Sequence, residues 1–132
     1  MSANRVSAII IDGDKILLIR RVKNLAEYYV LPGGSAEGNE SILTALSREI
    51  KEETGLSVIV EKELWQINSA QDPRTQHIFL IKQFEGILRL GKPEINRQSK
   101  NNQYHLEWHN IKELSKLKFF PEELKDKIIK LI

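Results

Sequence analysis

Residues 34–56 read GSAEGNESILTALSREIKEETGL, and the placement of the carboxylates in this stretch is the most informative feature of the chain. A helix fits Glu40 to Thr54, with Asn39 placed to cap its start and Gly55 to end it in a left-handed conformation. At 100° per residue, Glu52 and Glu53 fall within about 60° of Glu49, and so do Ile42, Ala45 and Leu46. The acids continue the apolar stripe, whereas acids that merely met solvent would lie opposite it. Five acids (Glu37, Glu40, Glu49, Glu52, Glu53) face two bases (Arg48, Lys51) in this segment, although the whole chain carries a net charge of only +2.

Such crowding has a cost. Carboxylates three and four residues apart on a helix lie about 5–6 Å apart at Cβ. Two charges about 5 Å apart repel by roughly 3 kcal/mol at an effective dielectric of ~20. Either Arg48 and Lys51 neutralise the acids on a salt-bridged surface helix, or the acids take up protons or share a cation. All-oxygen donors suit a hard divalent ion, and with no cysteine in the chain the natural candidate is Mg²⁺, with Mn²⁺ as a substitute.

The spacing separates these readings. From Gly34 the chain runs five residues to Glu40, seven more, then Arg48-Glu49-Ile50-Lys51-Glu52-Glu53-Thr54-Gly55-Leu56. This resembles the Nudix box, G-x5-E-x7-R-E-U-x-E-E-x-G-U with U aliphatic, at every fixed position. The lead-in Val30-Leu31-Pro32-Gly33-Gly34 is similar as well. The resemblance implies an α/β/α sandwich with a mixed central sheet and a loop–helix–loop catalytic motif, in one domain spanning 1–132 with its box at 34–56. It implies Glu49, Glu52 and Glu53 as metal ligands, with the Gly33 carbonyl as a backbone ligand. Arg48 and Glu40 would orient these ligands, and Gly34 would let loop and helix approach closely. The implied reaction is attack of water on a phosphorus of a diphosphate bridge. Glu52 or Glu49 would take the water's proton, and Arg48 would complete the catalytic group.

Outside the box, Glu107 resembles a position where some Nudix proteins place a further metal-binding or catalytic acid. Strand alternation sets it on one face with His105 and His109, opposite Leu106 and Trp108. An exposed strand residue is the competing reading, and a zinc-like trio is less expected than a solvated face. His77 reads as structural. Arg20, Arg21 and Lys23 follow an apolar strand and could meet phosphates, and Tyr28 or Tyr29 could stack on a base. Solvated bases and core aromatics are the plainer alternatives.

Working outward, Val6–Ile11 and Lys15–Arg20 read as a strand pair around the turn Asp12-Gly13-Asp14. Further strands are expected at Tyr28–Leu31, Ser57–Trp65, Gln76–Phe84 and Tyr104–Trp108. Turns are expected at Pro32-Gly33-Gly34 and Asp72-Pro73. Gly91–Asn102 reads as a mobile polar loop, and helices are expected over Ile111–Leu117 and Pro121–Leu131. A hydrophobic share of 41% and a charged share of 29% fit a packed domain and exclude a disordered chain. The first apolar run is too short for a leader or a span, which makes a cytoplasmic location the default and a membrane role unexpected. Balanced charge argues against long nucleic acid as a partner. A homodimer is left open.

The expected partner is a small nucleotide-like diphosphate. A nucleoside triphosphate giving monophosphate and pyrophosphate is preferred. Alternatives are ADP-ribose, nucleotide sugars, dinucleoside polyphosphates, triphosphate-capped RNA ends, or a catalytically silent nucleotide-binding domain. Nudix proteins that sanitise oxidised guanine nucleotides read the base with an asparagine near the final helix, and Phe119–Leu124 offers none. Those that hydrolyse ADP-ribose tend to carry an extra N-terminal sheet region, which is not seen here. Pro73 lies downstream of the box as a proline does in some of them, but an Asp-Pro turn also accounts for it.

Overall fold

The computed structural model describes residues 3–70 and 72–131, with backbone alone at 92 and 93. In chain order the elements are β1 (Asn4–Ile9), β2 (Ile11–Asp12), β3 (Lys15–Lys23), β4 (Ala26–Val30), β5 (Gly33–Ser35), α1 (Ile42–Thr54), β6 (Ser57–Ser69) and β7 (Asp72–Glu85). They are followed by α2 (Lys92–Arg97), β8 (Asn102–Asn110), a 3-10 turn (Ile111–Lys116) and α3 (Leu124–Ile129).

One mixed sheet runs β5-β1-β7-β6, with β1 and β7 parallel and the outer pairs antiparallel. Alternation along its strands divides the core. Val6, Ala8, Phe79 and Ile81 pack with Ala45, Leu46 and Ile50 of α1. Ile9 and Ile78 face Ile111, Leu114, Leu124 and Ile128 of the C-terminal helices. Helices therefore cover both faces, as the α/β/α expectation requires. A second, antiparallel sheet holds β3, with β8 along one edge and β2 and β4 sharing the other.

The expected strand pair is largely undone. Only Ile11 and Asp12 pair with Ile16 and Lys15, while β1 leaves for the mixed sheet. Val6, Ala8, Ile9 and Ile10 are all fully buried, so this run is apolar on both faces and suits a central strand beside a parallel neighbour. Gly33 and Gly34, expected as a turn, form β5 against β1. Helix α1 starts later than expected. Ser41, not Asn39, is its cap, with Oγ accepting from the Thr44 N–H at 3.2 Å, and Glu40 stays in the loop. Gly55 ends it as expected, at φ 80°. Asp72 and Pro73 begin β7. Pairing with β1 starts only at Thr75, so the proline's missing N–H is not needed there. The polar stretch 91–102 contains α2, whose Glu94 is buried. The last helix begins at Leu124, three residues past Pro121.

Candidate active site

Arg48 is the hub of the acidic helix. Its Nε and Nη2 donate to the two carboxylate oxygens of Glu40 at 2.7 and 2.9 Å, and Nη2 also donates to the Ser35 carbonyl at 3.2 Å. Nη1 reaches both Glu49 Oε1 and Glu52 Oε2 at 3.1 Å. One guanidinium thus ties the loop before α1 to two acids of the box. Lys51 turns away and donates to the Gly55 carbonyl at 3.3 Å, so it does not share the neutralising role. The Arg48 hydrogen bonds, helped by the Glu37 N–H, hold the Glu40 carboxyl down to about 2. That stabilisation is present above the ordinary carboxylate range and is lost as pH falls toward 2. Arg48→Ala is expected to lower the thermal midpoint by roughly 5 °C near neutral pH, and Arg48→Lys to recover little of it, because an ammonium cannot form the paired bonds to Glu40. Unfolding curves that coincide with the wild type would contradict this.

Glu53 is the enclosed member, 8% exposed, with Oε1 accepting from the Gly33 N–H at 2.7 Å. Burial pushes its carboxyl up to about 8 against the pull of that N–H and of Arg5. Burial also raises Glu49, opposed by Arg48, while Glu52 and Glu94 push it further up. Glu52 is the open acid, its side chain 46% exposed.

The structure adds an acid that sequence reasoning missed. Glu94 of α2 is 9% exposed, and its Oε1 is buried with no hydrogen-bond partner among the described residues. It acts electrostatically on both Glu49 and Glu53. The approach of α2 is close: a Cβ on Gly91 would lie 1.6 Å from the Glu52 carbonyl oxygen. A lone acid in a polar stretch gives no periodic signal, and only the tertiary fold brings it to the box. Among the described residues no three acids or histidines form a closed cage, since Arg48 bridges Glu49 and Glu52 and Glu53 is turned to Gly33. Four crowded carboxylates, one of them with an orphaned oxygen, are nonetheless the donor set a hard divalent cation prefers.

A cleft of about 350 Å³ adjoins the acids, lined by Arg5, Arg21, Arg74, Tyr28, Gln76 and Phe120 among others. Arg5 and Arg74 link the two regions: Arg5 is drawn to Glu53 and Glu49, and Arg74 to Glu49. Arg74 is braced by Asp72, and its Nη1 donates to Ser35 Oγ. Of the expected substrate contacts, Arg21 is in the cleft, its guanidinium 3.9 Å over the Tyr104 ring and bonded to Asn102. Tyr28, not Tyr29, is the aromatic there, its ring edge-on to Phe120 at 5.7 Å.

Arg20 and Tyr29 lie elsewhere, because neighbours in a strand face opposite ways. Arg20 Nε donates to Glu107 at 2.8 Å, and the Tyr29 ring meets His109 edge-on at 5.0 Å. Lys23 is exposed at the end of β3. Glu107 has both carboxylate oxygens engaged, one by Arg20 and the other by His109 at 2.8 Å. Burial pushes its carboxyl up, but these two partners prevail and hold it below the usual range. His105 bonds Gln103 instead, so the two histidines do not share a ligand site with Glu107. His77 is held between Glu63 and Asn4 at 2.9 Å each, in keeping with a structural role.

The chain thus combines an α/β/α fold, acids crowded at the end of one helix and a basic, aromatic cleft beside them. The comparisons agree. The NUDIX domain model matches residues 1–131. The ADP-ribose pyrophosphatase of Methanocaldococcus jannaschii is 35% identical over 124 residues, 90% of this chain and 68% of that protein. The human 8-oxo-dGDP phosphatase NUDT18 is 35% identical over 80 residues, 60% of this chain and 24% of that one. Among solved structures, a MutT from work on Aliivibrio salmonicida and Vibrio cholerae superposes with a TM-score of 0.75 at 22% identity, with 98% of each chain covered. The chain belongs to the Nudix hydrolase family. No helix among the described residues is long and apolar enough to cross a membrane.

Proposed function

We propose that the chain hydrolyses a diphosphate linkage in a nucleotide, preferentially a nucleoside triphosphate to monophosphate and pyrophosphate, with Mg²⁺ as the cation and Mn²⁺ able to replace it. The observation that carries this reading is the convergence of Glu49, Glu53 and Glu94, with an orphaned buried oxygen, beside a cleft lined by Arg5, Arg74 and Tyr28. Glu49, Glu52, Glu53 and Glu94 are the side chains that would hold the cation, joined by the Gly33 carbonyl. The cation would make water more acidic and offset charge on the bridging oxygen. Arg5, Arg21 and Arg74 bind the phosphates and keep them in register with the acids. Arg48 fixes the directions of Glu49 and Glu52, and one of these two accepts the proton of the attacking water. Gln substitutions at both positions identify it, since removal of the base abolishes the acid limb of the pH–rate profile.

A second reading, hydrolysis of ADP-ribose to AMP and ribose phosphate, is favoured by the similarity to the archaeal ADP-ribose pyrophosphatase over 90% of this chain. Comparing kcat/KM over nucleoside triphosphates, ADP-ribose and nucleotide sugars separates the two. The expected result is nucleoside monophosphate formation that stops with EDTA and returns with Mg²⁺. A protein that binds nucleotides but hydrolyses none of them, with either ion, would be the silent binding domain.

A further inference from the structure

Gln76 stands in β7 opposite Arg5 of β1, and both line the cleft. The residue is only 4% exposed, and its carboxamide, whose polar atoms reach the open cleft, makes no hydrogen bond to any described residue. Its neighbours on the same face are satisfied differently, because Asp72 and Arg74 bond each other. A carboxamide that lines a cleft with no protein group engaging it is free to meet a ligand that supplies both a donor and an acceptor. Tyr28 and Phe120 border the same space and offer aromatic surface to a flat ring.

We propose that Gln76 reads the base of the bound nucleotide, its Oε1 accepting from the N6 amino group of adenine and its Nε2 donating to N7. A carboxamide matches that edge in both directions. The corresponding edge of guanine presents two acceptors and leaves Oε1 without a donor. The inference rests on the nucleotide pyrophosphohydrolase reading and adds which base is chosen.

The test compares adenosine, guanosine and 6-unsubstituted purine versions of one substrate in the wild type, Gln76→Leu and Gln76→Met. The wild type is expected to favour adenosine over both others by roughly ten- to hundredfold in kcat/KM, mostly through KM. In either variant that ratio falls to within about threefold, as expected when a paired polar contact is lost. A wild type that prefers guanosine or accepts all three equally overturns the proposal, as do variants that keep the full ratio. Calorimetric binding of the three nucleoside diphosphates gives the same comparison without turnover. Adenine-selective binding without hydrolysis removes the hydrolytic reading and keeps the base reading, whereas no binding at all removes both.

Discussion

Replacing Glu53 by glutamine is expected to reduce turnover by roughly 10²–10⁴-fold while making the metal-free protein more stable at alkaline pH. The amide oxygen can still accept the Gly33 N–H that Glu53 Oε1 accepts at 2.7 Å, so β5 keeps its tie to α1. What disappears is a charge that burial disfavours. The Glu53 carboxyl sits at about 8 when folded against 4.5 as the ordinary value. A group raised in this way costs the fold nothing below its unfolded value, and stability is lost as pH rises through the folded value. Over that window the loss is on the order of 4 kcal/mol, and Glu53→Gln does not titrate. Urea unfolding of both proteins in chelator, from pH 5 to 9, should show their stability difference widening toward pH 8. A difference that does not change with pH, or a fully active variant, would contradict the assignment.

The second large effect contrasts two neighbouring glycines. A Cβ on Gly34 would lie 2.2 Å from Glu49 Oε2 and 2.4 Å from its Cδ. The obstacle is the free end of a long side chain, which can swing aside. Gly34→Ala should therefore fold with a stability change under about 1 kcal/mol but lose roughly a hundredfold in kcat, since an ångström of misplacement is enough to do so. At Gly33 the Cβ would meet backbone, 2.0 Å from the Val6 carbonyl and 2.9 Å from the Ser7 Cα. Nothing there can yield without separating β5 from β1, so Gly33→Ala should lose roughly 3 kcal/mol or more of stability. Thermal unfolding and steady-state kinetics on both variants decide the matter. Equal destabilisation by the two, or a fully active Gly34→Ala, would remove the claim that Gly34 seats the Glu49 carboxylate.

The acidic helix and its hub were legible because charge and helical period are both written locally: Glu49, Glu52 and Glu53 share a direction whatever surrounds them. The α/β/α layering was legible through the box. Strand order was not, since Val6 to Ile10 is buried throughout, and a run buried on both faces carries no mark of which neighbours it takes. The cleft was harder still. Strand alternation separates Arg20 from Arg21 and Tyr28 from Tyr29, but only the partners of β3 and β4 show which of each pair lines the cleft. Glu107 is engaged by Arg20 and His109, contacts created by the β3–β8 pairing that no local pattern announces. Glu94, Arg5 and Arg74 come from three distant segments with no shared motif.

The central claim is that Glu49, Glu52, Glu53 and Glu94 hold one or more divalent cations. It is tested most directly by calorimetric titration of Mg²⁺ and Mn²⁺ into the wild type, Glu53→Gln and Glu94→Gln at pH 7, in two buffers of different ionisation enthalpy. The predicted result is binding to the wild type with proton release, at least about tenfold weaker binding in each variant, and less proton release from Glu53→Gln than from the wild type. Equal affinities in all three proteins, with no proton exchanged in any, would contradict the account.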